Sequence, residues 1–164
     1  MEEVKFPKII VHISILLLAA IWEFVLLYWL PVDYYIESGM VWFENWTGPA
    51  GRPYVCWMEY SPSPIFIVLV LLPALILLAL YIFHRDSSFR NLGLSMLFSL
   101  LAVTIAPVFI LDLSINSILL MLVSLSSGIV LGKDIGDRAI LVFGGFLPGL
   151  VVIWVISAQF HGAC

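Results

Sequence analysis

Glu23 is an ionisable acid inside an otherwise apolar run, "AAIWEFVLLYWL" at 19–30. An ionised carboxylate at the centre of a bilayer costs about 2.5–3.5 kcal/mol on insertion scales. Glu23 lies seven residues before Leu30, roughly 10 Å below that end of a helix, too deep for a short side chain to reach bulk water. Three states are open to it: protonated in lipid, hydrogen-bonded within a helical bundle, or facing another subunit. Ala19 and Ala20 stand near it on the same helix. Small residues suit close approach of a second helix, so the expectation is that Glu23 faces protein.

His12 lies eleven residues earlier. At about 100° per residue it returns to the face of Glu23, separated by roughly 16 Å along the axis. The two cannot touch, although they share one stripe. His12 near the inner end of its helix reads as interfacial rather than as a relay.

"GKDIGDR" (132–138) gathers Lys133, Asp134, Asp137 and Arg138 in one turn. Two acids and two bases at a membrane face have the chemistry to hold a metal–phosphate headgroup. The plainer reading, a self-neutralising solvated turn, is favoured because exposed ion pairs are easily placed. The chain carries no GxGxxG, GxxxxGK[ST], GxSxG, HExxH or CxxC pattern, so no catalytic, cofactor or metal site is assigned. "Asn45-Trp46-Thr47" matches a glycosylation sequon, a pattern short enough that a chance match is favoured. The two cysteines, Cys56 and Cys164, form no framework.

The elements that position these residues follow from composition. Of 164 residues, 63% are hydrophobic and 11% charged, with a mean hydropathy of +1.13. Soluble domains average about 45–50% apolar and about 25% charged. The expected fold is all-α: a single polytopic membrane bundle over residues 1–164. A span needs about 20 apolar residues. Five runs approach this, at 9–30, 65–83, 92–111, 113–131 and 139–158. In lipid every backbone polar group must be satisfied internally, which favours five transmembrane helices. The hairpin at Asp112 is very tight, so a re-entrant pair is the alternative there. The first run is too long for a signal h-region and reads as a retained helix.

Lys5, Lys8, Arg85, Arg90, Lys133 and Arg138 all fall on one side of such a bundle, and only Arg52 on the other. The positive-inside rule then places the N-terminus in the cytoplasm and the C-terminus outside, in the cell membrane. Cys56 and Cys164 share the outer face, where a disulfide is chemically allowed if their Cα atoms lie within about 7 Å. Two free thiols are the default. The outer loop 31–64 carries Trp42, Phe43, Trp46, Tyr54, Trp57 and Tyr60. Such rings favour the headgroup zone, so the loop is expected to lie on the bilayer surface. Its middle, "NWTGPAGRP", is rich in turn formers.

Small residues recur at helix spacing. Ser124, Gly128 and Gly132 are four apart, as are Gly145 and Gly149, with Gly144 beside them. This spacing lets backbones approach closely. Packing of the fourth span on the fifth is the expectation, and docking onto another subunit the alternative. Pro73, Pro107 and Pro148 sit within spans. Proline is common in membrane helices, yet "GGFLPG" is the best candidate for a real break.

Three function classes fit. The first is a small non-catalytic subunit that packs with other integral membrane subunits and lipids in a larger complex. The second is a small oligomeric transporter or channel using Glu23. The third is an intramembrane lipid-modifying enzyme using the 132–138 turn. Seven scattered Lys and Arg residues do not form a nucleic-acid surface.

Overall fold

The computed structural model describes the backbone of residues 8–29, 36–41, 55–60, 62–109 and 113–163, and the side chains of 10–26, 62–107 and 114–156. The described residues form five helices: α1 (Lys8–Trp29), α2 (Pro64–His84), α3 (Ser87–Phe109), α4 (Leu113–Leu131) and α5 (Ile135–Ala163). Four of them, α2 to α5, are long and apolar enough to cross a membrane. α1 has 22 residues, about 33 Å of rise, and its described apolar stretch is Ile10–Leu26. The chain is a multi-pass membrane protein. α3 and α4 are both long helices, not the halves of a re-entrant pair. The turn at Asp112 lies outside the described residues, as do the sequon at Asn45 and the rings at 42–54.

Two segments of the 31–64 loop are strands. Strands β1 (Ile36–Val41) and β2 (Val55–Tyr60) pair antiparallel, from Ile36 opposite Tyr60 to Val41 opposite Val55. This two-stranded hairpin is an addition to the all-helical expectation. Its cause is local. "VCWMEY" and "IESGMV" supply β-branched, aromatic and long apolar residues that fit a pleated ribbon.

Local chemistry sets the helix ends. Ser63 precedes Pro64, and its hydroxyl accepts from the Phe66 N–H at 3.2 Å, so a capping residue and a proline at the first helical position start α2. At the far end Arg85 adopts a left-handed φ of 56°, and its N–H donates to the Tyr81 carbonyl at 2.8 Å. That closes α2 in an αL stop. Asp86 Oδ1 then accepts from the Ser88 N–H at 2.9 Å and opens α3.

The three prolines lie inside continuous helices. "GGFLPG" is therefore not a break: α5 runs 29 residues straight through Pro148. A membrane helix tolerates the missing N–H because neighbouring groups re-satisfy the freed carbonyl.

α3 and α5 are central. α3 packs on α2, α4 and α5, while α5 packs on α1, α3 and α4. Half of α5's spanning window is buried, against 22% for α2. α3 is the least apolar of the four spanning helices and α2 the most apolar. The arrangement follows from the solvent: lipid takes the greasiest helix, and polar faces turn inward to find each other. Phe66, Val70, Ala74 and Leu77 of α2 and Leu92, Met96, Leu100 and Val103 of α3 interleave in the core.

Candidate functional site

Glu23 is 0% exposed. It lies on the buried face of α1 with Leu16 and Ala19, spaced three and four residues apart. Its two helical neighbours fix its direction. Trp22 Nε1 donates to the Leu69 carbonyl of α2 at 3.0 Å. Phe24 stacks on Trp154 of α5, with ring centroids 6.1 Å apart. Each flanking residue is about 100° from Glu23 around the helix, so Glu23 points between α2 and α5. The expectation that it faces protein describes the structure. The partner is its own bundle, and neither carboxyl oxygen has a hydrogen bond among the described residues.

The Trp22 bond has a specific cause. Pro73 has no N–H to give to Leu69, four residues before it. The Trp22 indole supplies that donor, so one proline defect becomes a tie between α1 and α2.

A second polar feature was not anticipated from the sequence. Ser95 and Ser99 of α3 and Ser124 and Ser127 of α4 are buried together. Ser95 Oγ bonds Ser127 Oγ at 2.7 Å and donates to the Leu141 carbonyl of α5 at 2.7 Å. Ser99 Oγ bonds Ser124 Oγ at 3.0 Å, and Ser127 Oγ donates to the Ser124 carbonyl at 2.9 Å. Below them Asn91 Nδ2 donates to the Leu131 carbonyl at 3.0 Å. The signal was present as Asn91, Ser95 and Ser99 at four-residue spacing. It goes unnoticed because serine is unremarkable in a span until its partners are known.

The glycines make this seam possible. A Cβ on Gly145 would meet Ser99 Oγ and lie 3.1 Å from the Ser95 carbonyl oxygen. A Cβ on Gly149 would come within 2.6 Å of Leu120 Cδ1 of α4. The α5 pair thus faces the groove between α3 and α4, not α4 alone. Gly128 lies against Val142 and the Arg138 carbonyl of α5, and Gly132 against Arg138.

His12 does not approach Glu23. It lies at the opposite end of α1, half-buried, in a cavity of about 410 Å³ with Asp86, Asn91, Lys133, Asp134 and Asp137. That cavity joins two turns that lie far apart in the sequence. The charged turn also holds the local structure. Asp134 Oδ1 accepts from the Asp137 N–H at 2.8 Å and starts α5, while Arg138 Nε donates to the Gly132 carbonyl at 3.3 Å. Among the described residues, no group of three or more His, Cys, Asp or Glu side chains is placed to hold a metal ion. Cys164 lies outside the described residues and the Cys56 side chain is not described, so their pairing falls outside the structure.

Compared with known proteins, the chain matches no family model, no curated sequence and no solved structure.

Proposed function

We propose that the chain is a small non-catalytic subunit of a larger complex in the cell membrane, with its N-terminus in the cytoplasm. One observation supports this reading. Ala102 and Ala106, four residues apart and only half-buried, line a groove of about 710 Å³ between α3 and α4 on the outer surface of the bundle. Phe98, Ile105, Leu122 and Val130 rise around it and are all largely exposed. The glycines are consumed by contacts within the chain, whereas this small-residue pair is not. Paired small residues are how a transmembrane helix admits another backbone, so the occupant is a transmembrane helix of another subunit.

The test is site-directed cross-linking in native membranes, in a background with Cys56 and Cys164 replaced by serine. Ala106→Cys should cross-link to a distinct membrane protein, and Val68→Cys, on the lipid face of α2, should not. A groove cysteine that labels only lipid-soluble reagents, in a protein that migrates alone in mild detergent, would mean that the groove holds acyl chains.

A second reading, a small oligomeric transporter or channel, draws support from the Glu23 carboxyl, which has no hydrogen-bond partner among the described residues.

A further inference from the structure

We infer that Glu23 forms an exchange site for a small monovalent cation, a proton or an alkali-metal ion, enclosed between α1, α2 and α5. The site deepens the transport reading but does not require it, and it stands apart from whatever fills the α3–α4 groove.

Three observations converge. First, Glu23 is fully enclosed, and its two oxygens accept nothing from any described residue. Among the described residues no donor offsets the charge of a carboxylate in that position. Second, no described protein cation stands nearby. On the elements around it, the described titratable and charged groups are His12 of α1, Tyr81 and His84 of α2, Arg90 of α3, and Asp137 and Arg138 of α5. Each belongs to the end of the bundle that carries the 85–86 and 132–134 turns. His12 is roughly 16 Å from Glu23 along α1. Among the described residues nothing balances the carboxyl, so the balancing group we infer is a small ion from outside the protein.

Third, the surroundings offer oxygen. α1, α3 and α5 run parallel: Leu16 and Phe24 lie beside Gly144 and Trp154, and Ser95 and Ser99 beside Leu141 and Gly145. Carrying that register forward puts Glu23 level with about residue 153 of α5 and, within about one helical turn, with Pro107 of α3. Pro107 gives no N–H to the Val103 carbonyl, and Val103 is buried. The buried Thr104 hydroxyl is at the same level. It donates to the Leu100 carbonyl, which leaves its oxygen lone pairs to serve a ligand. The Val103 carbonyl and the Thr104 hydroxyl are thus α3 oxygens near that level, of the kind that suits a hard monovalent cation and that proline-bearing helices supply in ion-coupled membrane proteins.

The test uses dicyclohexylcarbodiimide on the full-length protein in liposomes, with the modified peptide located by mass spectrometry. The reagent partitions into lipid and adds a protonated carboxyl across one C=N bond. The acid proton goes to nitrogen, and acyl migration leaves a stable N-acylurea with no leaving group. An adduct on Glu23 that forms more slowly as pH rises, and is indifferent to Na⁺ and Li⁺, identifies the proton as the ion. An adduct slowed by Na⁺ or Li⁺, with choline as the control salt, identifies an alkali ion. At an ion concentration about ten times its dissociation constant, the slowing should be about tenfold. Glu23→Asp should retain the adduct and Glu23→Gln lose it. No adduct on Glu23 of the folded native protein at any pH overturns the inference, and so does an adduct whose rate ignores both pH and cations.

Discussion

Trp22 and Leu69 are joined by a hydrogen bond of 3.0 Å from the indole Nε1 of α1 to a main-chain carbonyl of α2. The acceptor is the carbonyl that Pro73 deprives of its helical donor. This relationship makes the indole and the proline a coupled pair, and the coupling is measurable. Trp22→Phe should cost about 0.6–2 kcal/mol, the range of interhelical hydrogen bonds in membranes. In a Pro73→Ala background, where residue 73 again offers an N–H, the same substitution should cost less than half as much. Unfolding in mixed micelles of increasing SDS fraction reads both values. Equal losses in the two backgrounds would show that the indole contributes packing alone.

Gly145 makes a sharper prediction. An added methyl has to displace Ser99 Oγ and press on the Ser95 carbonyl. Gly145→Ala should destabilise the bundle by about 1–3 kcal/mol, as overpacking does in dense cores. Ser99→Ala in the same chain should recover part of that loss, because it removes the nearest obstructing atom. Thermal melting of the purified single and double variants decides it. A Gly145→Ala protein as stable as the parent means that the helices separate more easily than this packing implies.

The serine seam distinguishes buried from exposed hydroxyls. Ser95→Ala removes a donor to Leu141 and a partner of Ser127, and should cost about 0.6–1.7 kcal/mol. Ser126, one residue before Ser127 and exposed in the outer groove, should change stability by less than about 0.5 kcal/mol on going to alanine. Hydrogen exchange over α4 and α5 offers a second readout, with faster exchange expected only for the Ser95 variant.

Topology can be checked without purification. The turns after α2 and α4 share one cavity, so Arg85, Arg90, Lys133 and Arg138 lie at one end of the bundle. The positive-inside rule predicts that this end is cytoplasmic. Reporter fusions after Arg90 and at Cys164 should report opposite sides of the membrane. Two reporters on the same side would remove one span from the count.

The helices were legible in the chain itself, because apolar runs of about 20 residues suffice to place them. Their ends were less so: α3 begins at Ser87 and α5 runs Ile135–Ala163, beyond the apolar runs at 92–111 and 139–158, because polar first turns and caps extend a helix past its apolar stretch. That Glu23 would face protein was equally legible, because exposing a charge to hydrocarbon is costly whatever the tertiary arrangement. The hairpin at 36–41 and 55–60 was less so. Pairing across the segment at 42–54 depends on register, and aromatic residues at a membrane surface carry the same composition for a different reason.

Which faces meet was settled by three-dimensional packing. Four-residue spacing of Gly145 and Gly149 indicates a close approach but not the neighbour, and α5 packs against the inner side of the α3–α4 pair, opposite the outer groove, with Gly145 serving Ser99 and Gly149 serving Leu120. The serines at 95, 99, 124 and 127 are ordinary polar residues until the helices bring them within 3.0 Å of one another or of a carbonyl. Pro73 and Trp22 are 51 residues apart in the chain, and nothing in the spacing links them. The link is created by helix packing, which carries an indole to the carbonyl that Pro73 leaves without a donor. His12 and Glu23 share a helical stripe that the spacing could predict. Packing then separated their fates: it opened a cavity around His12 and closed the bundle over Glu23.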